Sequence, residues 1–254
     1  MASIFGPNDN VKAMFASLQA VLGPGEIVQY HVGGDAEYRL VGLHRQRTVV
    51  AEVHTDGGVL HSVRFAVDLS GLPITLLLNH RRNTTIYAVP EVRTGDADFD
   101  GVFLLNGFPS EVLREALDAP TRQWILERYR EKTPTLETEH GSLRVGVVLR
   151  ASQGVWMLPS GREMPPAEIA YWLDALLSIT DRLTGSFRRQ ADSLARVHGA
   201  AAADQWVRQH TEAMTARASR RGNLRVLLFA LFVGLPLLGT LATLAVVFLL
   251  MWLG

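Results

Sequence analysis

Residues 36–69, AEYRLVGLHRQRTVVAEVHTDGGVLHSVRFAVDL, decide the fold of this chain. Apolar and polar residues alternate through much of this stretch with a period of two, which is typical of β-strands with one buried face. The segments HRQR and TDGG interrupt the alternation and predict turns. Consecutive antiparallel strands are therefore expected here, and EIVQYHV (26–32), PITLLLN (73–79) and TTIYAV (84–89) extend the same sheet.

The alternation also predicts the register between two of these strands. Apolar residues that share a face are Val49, Ala51 and Val53 in one strand and Val59, Val63, Phe65 and Val67 in the next. A two-residue turn at Asp56 and Gly57 would put these two sets on opposite faces of the sheet. We therefore expect an odd loop with a glycine bulge.

Helical spacing of apolar residues predicts the elements that cover the sheet. Helices are expected at 9–22, 109–117 and 121–131 and over the long region 165–221, and a hairpin is expected at 136–149, LETEHGSLRVGVVL. An apolar stripe from Ile169 to Phe187 should pack on the sheet. The fold class predicted for residues 1–185 is α+β, an antiparallel β-sheet domain covered by helices.

The composition excludes several classes of protein. With 48% hydrophobic residues the chain is not intrinsically disordered, and 25 basic against 25 acidic residues give it no general basic character. The basic turns HRQR (44–47) and HRRN (80–83) would lie at opposite ends of a simple meander. They would then form no single patch, and no nucleic-acid partner is expected.

The C-terminal third has a different character. Residues 186–225 are rich in arginine and predict a long helical stalk, whereas residues 226–253 carry no charge. A bilayer core needs about 20 helical residues, so this uncharged run predicts one C-terminal transmembrane helix that acts as a tail anchor.

Arginines just before the predicted span set its expected orientation. Arg217, Arg220, Arg221 and Arg225 precede the uncharged run, and positive residues stay on the cytoplasmic side. The expected location is the inner membrane of a bacterium, single-pass, with a cytoplasmic N-terminal domain and an outward C-terminus. The same four arginines are expected to contact the anionic headgroups of the lipid bilayer.

Catalytic signatures are missing from the sequence. The chain has no cysteine, which excludes thiol catalysis, and it contains no G-x-S-x-G, S-x-x-K, H-E-x-x-H, Walker or G-x-G-x-x-G motif. Acid–base chemistry needs no sequence signature, so enzymatic activity is unsupported rather than excluded.

The segment DADFDG at 96–101 is the sharpest local motif. Asp96, Asp98 and Asp100, followed by Gly101, match the opening of an EF-hand loop, which indicates calcium as a candidate ligand; no other cofactor is expected. The twelfth position is Gly107, however, where a bidentate glutamate should close the site. The alternation of a β-strand explains the same residues, so both interpretations stay open.

Three segments carry a resemblance to a known group of proteins. They are VRTGDADFDGVFLLNGFPSEVLREALDAPTRQWILERY (92–129), the hairpin at 136–149 and PPAEIAYWLDALLSITDRL (165–183). They resemble bacterial proteins of unknown function with a T-G-D-x-x-F-D-x-x-F motif, often beside membrane spans. Here the motif is carried by Thr94, Gly95, Asp96, Phe99, Asp100 and Phe103. The resemblance, over roughly 36–185, implies a bacterial origin and a shared fold but no catalytic residues.

Together these patterns predict a membrane-tethered, non-enzymatic interaction or scaffold protein at the cytoplasmic face of a bacterial membrane. Its partner would be another protein or a second copy in a homo-oligomer. The alternatives are a ligand- or metal-binding module at Asp96, Asp98 and Asp100, and a small membrane-bound hydrolase without a recognisable motif.

Overall fold

One antiparallel sheet of eight strands forms the centre of the fold. The computed structural model describes residues 9–32, 35–56, 59–69, 71–82, 90–129, 136–139, 142–148 and 163–229. The strands are β1 (Ile27–Val32), β2 (Asp35–His44), β3 (Arg47–Asp56), β4 (Val59–Asp68), β5 (Thr75–His80), β6 (Phe103–Phe108), β7 (Leu136–Glu139) and β8 (Ser142–Val148). Their spatial order is β1-β2-β3-β4-β8-β7-β5-β6.

The helices are α1 (Asp9–Leu22), α2 (Ala97–Val102), α3 (Ser110–Ala116), α4 (Ala119–Tyr129), α5 (Pro166–His198) and α6 (Ala200–Phe229). Helices from α1 to α5 cover one face of the sheet, which we call the inner face. The buried apolar residues of α1, α3, α4 and α5 share one core with alternate strand residues such as Leu40, Phe65 and Val145. The predicted α+β class, an antiparallel sheet covered by helices, is therefore confirmed.

Strand β3 pairs with β4 in the expected register, but the odd residue lies elsewhere. Val49 is opposite Val67, Ala51 is opposite Phe65 and Val53 is opposite Val63, so these residues share a face as predicted. The prediction is wrong for Val59, which pairs with Asp56, and Leu60 is the buried residue instead. Pairing continues to Asp56 and Val59, and the register shifts between His54 and Thr55. The extra residue that brings the apolar residues onto one face is therefore His61, within β4, and not a residue of an odd loop.

The turn between β2 and β3 is fixed against α5. Arg45 and Gln46 have positive φ angles of 47° and 64°, which a two-residue hairpin turn of this hand requires. Asp174 of α5 holds the turn, since its carboxylate oxygens lie 2.7 Å from His44 Nε2 and 2.6 Å from Arg45 Nη2.

Two sequence expectations differ from the structure within the sheet. The alternation of Phe99, Phe103 and Leu105 predicts a strand over FDGVFLLNG (99–107), but the strand begins only at Phe103. Asp96 caps a short helix, α2, before it and accepts a hydrogen bond from Phe99 N. The hairpin β7–β8 also lies between β4 and β5, so the sheet is not a simple meander. The antiparallel order still puts residues 44–47 and His80 at opposite ends of the sheet. The predicted strand TTIYAV lies outside the described residues.

The predicted transmembrane helix is contradicted. Within the described ranges, no helix is long and apolar enough to cross a membrane. Only residues 226–229 of the predicted span belong to a described helix, α6, and residues 230–254 lie outside the described part. The rest of α6 is too polar to cross, since it carries Asp204, Arg208, Glu212, Arg217, Arg220, Arg221 and Arg225. The same finding contradicts the predicted single-pass location in the inner membrane.

The chain divides into two compact units, Met1–Val207 and Arg208–Gly254. The first contains the sheet and α1 to α5, and α5 passes through residue 185 without a break. Phe187 is buried, and its ring lies 4.8 Å from that of Trp206. In the second unit the structure describes the continuation of α6 to Phe229.

Candidate functional site

The face of the sheet opposite the helices, the outer face, carries polar and charged side chains in its centre. Glu52 of β3 lies directly across from Arg39 of β2 and Arg64 of β4. A third arginine, Arg144 of β8, places its Nη1 3.5 Å from Glu52 Oε2. Glu52 therefore has an arginine opposite it on each neighbouring strand and the guanidinium group of Arg144 near its carboxylate.

A histidine and a glutamate lie beside this cluster. His54 Nδ1 is 2.9 Å from Glu37 Oε1, and the His54 side chain is 17% exposed. The buried Nε2 atom of His54 has no hydrogen-bond partner in the part of the chain that the structure describes. The centre of the outer face is thus polar and only partly open to solvent.

Towards β1 the outer face becomes apolar and open. Val28 and Tyr30 of β1 are 38% and 43% exposed, and Val41 and Leu43 of β2 are 45% and 60% exposed. All four point to the outer face, because they alternate with inner-face residues such as Leu40. We call these four residues the apolar edge patch. Large apolar side chains that are exposed side by side are typical of contact surfaces.

A groove continues the apolar edge patch around the end of α1. Its volume is about 490 Å³, and it is lined by Leu22, Gly23, Pro24, Val41, Gly42, Leu43 and Thr48. Gly42 permits the close approach of α1 to β2, since a Cβ atom there would lie 2.5 Å from the carbonyl oxygen of Leu22. The patch and the groove together offer apolar surface with few polar groups.

The two edge strands of the sheet, β6 and β1, differ in the segments that pair with them. Along β6, residues 90–92 add a partial strand, with hydrogen bonds from Val92 N to Leu105 O and from Gly107 N to Pro90 O. Strand β1 has β2 as its sole partner among the described strands. The apolar edge patch therefore lies beside a strand that has one described neighbour, whereas β6 has two.

The three aspartates of the predicted metal site lie at the start of α2. Asp96 caps the helix, and its Oδ2 accepts a hydrogen bond from Arg122 Nε at 2.9 Å. Asp100 accepts hydrogen bonds from Thr94 N, Thr94 Oγ1 and Gly95 N at 2.9 to 3.1 Å. Asp98 is exposed. Two of the three carboxylates are therefore committed to hydrogen bonds within the protein.

The carboxylate of Asp96 forms an ion pair with the guanidinium group of Arg122. The hydrogen bond from Arg122 lowers the pKa of Asp96, and the hydrogen bond from Phe99 N acts in the same direction. Among the described residues, no group of three or more histidine, aspartate or glutamate side chains is arranged to hold a metal ion. Calcium at Asp96, Asp98 and Asp100 stays a prediction, and calorimetric titration of wild type against Asp98→Ala tests it.

Helix α6 contains the four arginines that were predicted to contact the membrane surface, Arg217, Arg220, Arg221 and Arg225. They lie in the second compact unit, whereas the apolar edge patch lies in the first. The apolar edge patch is not among the predicted sites, although the sequence contains a signal for it. EIVQYHV and LVGL contain apolar residues at both parities, which departs from the strict alternation of a strand with a solvated face.

Comparison of the chain with protein-family models, with curated proteins and with solved structures finds no match. The function of the protein is therefore inferred from the geometry of this chain.

Proposed function

We propose that the protein is a non-enzymatic interaction module that binds another polypeptide through the apolar edge patch beside β1. The observation that carries the proposal is the exposure of Val28, Tyr30, Val41 and Leu43 on one face of two neighbouring strands. Burial of apolar surface supplies about 25 cal/mol per Å², so covering this patch favours association.

The groove beside the patch supports the same proposal. Where a protein binds a peptide segment, side-chain pockets beside the contact give specificity. Here the groove beside Val41 and Leu43 is such a pocket. The polar centre of the outer face, with Arg39 exposed, would form the rim of the contact.

The test uses a photoreactive amino acid placed at Leu43 in the full chain inside the producing cells. The control is the same amino acid at Val197 of α5, which is 70% exposed but lies outside the patch. We expect a discrete covalent adduct with one polypeptide from position 43 and none from position 197. Equal adducts from both positions, or no adduct from position 43, would contradict the proposal.

A second measurement shows that the adduct reports binding. The purified partner is titrated against wild type and against the double variant Val41→Asn, Leu43→Asn. We expect the double variant to bind about tenfold more weakly, because truncating central apolar contacts costs more than 1 kcal/mol. Far-UV circular dichroism should be unchanged, since both side chains are exposed. Unchanged affinity would contradict the assignment of the site.

A further inference from the structure

Both walls of the groove beside the apolar edge patch rest on the long helix α5. One wall is the end of α1 with Leu22, and α1 contacts α5. The other wall is the hairpin of β2 and β3, which contributes Leu43 and Thr48. These two residues lie directly opposite each other, in the last pair but one before the turn. The position of the turn therefore sets the position of this wall.

The turn has a backbone conformation that its two central residues do not favour. Arg45 and Gln46 have φ angles of 47° and 64°. Asparagine followed by glycine is the usual sequence of such a turn, because both positions need a positive φ. Most residues with a Cβ atom are disfavoured there. Contacts from outside the turn are therefore needed to hold it in place.

Two aspartates of α5 supply these contacts. The carboxylate oxygens of Asp174 lie 2.7 Å from His44 Nε2 and 2.6 Å from Arg45 Nη2, and Asp181 binds the guanidinium group of Arg47. Asp174 and Asp181 are about two helical turns apart and so lie on one side of α5. An exposed ion pair is weak by itself, but here three neighbouring side chains are bound to the same helix.

We infer that Asp174 and Asp181 are positioning residues for the groove, which hold the turn, and through it Leu43 and Thr48, in the geometry that the partner binds. This role rests on the proposed interaction role and adds two residues from the helical side of the sheet. A loop that is already ordered loses less conformational entropy on binding than a mobile loop. Removing the two carboxylates therefore weakens binding although no side chain of the patch is changed.

The first measurement needs no partner. Hydrogen–deuterium exchange of residues 44–48 is compared between the wild-type chain and the double variant Asp174→Ala, Asp181→Ala. The control is Asp192→Ala, which removes an exposed carboxylate from the same helix, about 27 Å along its axis from Asp174. We expect exchange to be about fivefold faster or more in the double variant and unchanged in the control. Equal exchange in the three proteins would overturn the positioning role.

The second measurement titrates the same proteins with the purified partner captured at position 43. We expect the double variant to bind about fivefold more weakly and Asp192→Ala to bind like wild type. Arg45→Asn and Gln46→Gly are then added to the double variant, because this pair favours the turn without help from α5. The affinity should return to within about twofold of wild type. A loss of affinity that this turn does not rescue would contradict the positioning role.

The outcomes separate the positioning role from the interaction role. Faster exchange with unchanged affinity would refute the former and leave the contact at the patch intact, whereas no adduct at position 43 would remove both. The side chains of Asp174 and Asp181 are 37% and 66% exposed, so we expect the double variant to fold, as far-UV circular dichroism should show. Asp181→Ala alone should give a smaller change of the same sign, and it replaces the double variant if that variant folds poorly.

Discussion

The two edge strands of the sheet, β6 and β1, differ in whether a further described segment of the chain pairs with their outer side. At β6, residues 90–92 supply hydrogen bonds to the outer side of the strand, and Val92 is buried to 1% exposure. At β1, Val28 and Tyr30 are 38% and 43% exposed, and β2 is the strand's one neighbour among those described. The difference separates an edge that another described segment of the chain completes from one at which β2 is the single described neighbour.

The T-G-D-x-x-F-D-x-x-F motif belongs to the completed edge. Its Asp100 holds the backbone of Thr94 and Gly95, and its Asp96 is paired with Arg122. Arg81 binds the carbonyl oxygen of Asp100 and the carboxylate of Glu91, so the segment that covers β6 is tied at both ends. A motif that looks functional in the sequence therefore has a structural role at one edge, while the candidate site at the other edge carries no motif.

Removing the aromatic support of the β6 edge should have the largest effect. Phe99 is fully buried, and its ring lies 5.4 Å from that of Phe103. We expect Phe99→Ala to lower the free energy of unfolding by about 3 to 5 kcal/mol, measured by urea denaturation followed by circular dichroism. A loss below about 1 kcal/mol would show that the motif does not anchor this edge.

Deleting the carboxylate of Asp100 should have the next largest effect. Asp100→Ala leaves the backbone N–H groups of Thr94 and Gly95 without their acceptor, so we expect a loss of about 2 kcal/mol in unfolding free energy. Asp98→Ala is the matched control, since Asp98 is exposed in the same helix, and it should change stability by less than about 0.5 kcal/mol. Equal losses in the two variants would contradict the structural role of Asp100.

Local patterns explain how much of this fold the sequence could predict. Alternation placed Val49 and Val67 on one face correctly, because a buried face fixes register. The secondary structure around Phe99 was harder to predict, because Phe99 and Phe103 are four residues apart. That spacing fits one face of either a helix or a strand. The cap at Asp96 decided in favour of a helix.

Long-range pairing explains what the sequence could not predict. The order of strands places β8 and β7 between β4 and β5, and no local pattern encodes that neighbour relation. The apolar edge patch depends on the same relation, since the strand order places β1 and β2 at one end of the sheet, with Val28 and Val41 exposed on its outer face. Composition alone predicts a transmembrane helix in the uncharged C-terminal run. No helix among the described residues is long and apolar enough to cross a membrane.

The ion pair between Asp96 and Arg122 should give a smaller, pH-dependent effect. Because the pKa of Asp96 is lower in the folded chain than in the unfolded chain, folding favours its ionised form. The stabilisation is therefore present above the unfolded value of about 3.9 and is lost as the pH falls through the folded value. We expect Asp96→Asn to cost about 1 kcal/mol at pH 7, since both side chains are partly exposed.

The measurement for Asp96 compares the two proteins across pH. Urea unfolding of wild type and Asp96→Asn should differ by a constant amount above about pH 5 and should converge as the pH falls below about 4. A difference that stays constant down to pH 3 would show that the charge of Asp96 does not contribute.

The smallest expected effect comes from the open edge, where one chemical change is tested at both edges. Val28→Thr at β1 keeps a β-branched side chain at an exposed position, so it should change the unfolding free energy by less than about 0.5 kcal/mol. Val92→Thr makes the same change where the side chain is 1% exposed, and burying the new hydroxyl without a partner should cost about 1 to 3 kcal/mol. Both values come from urea unfolding at a protein concentration low enough to keep the chain monomeric. Equal losses at the two positions would mean that β1 is as fully covered as β6, and the distinction between the edges would fail.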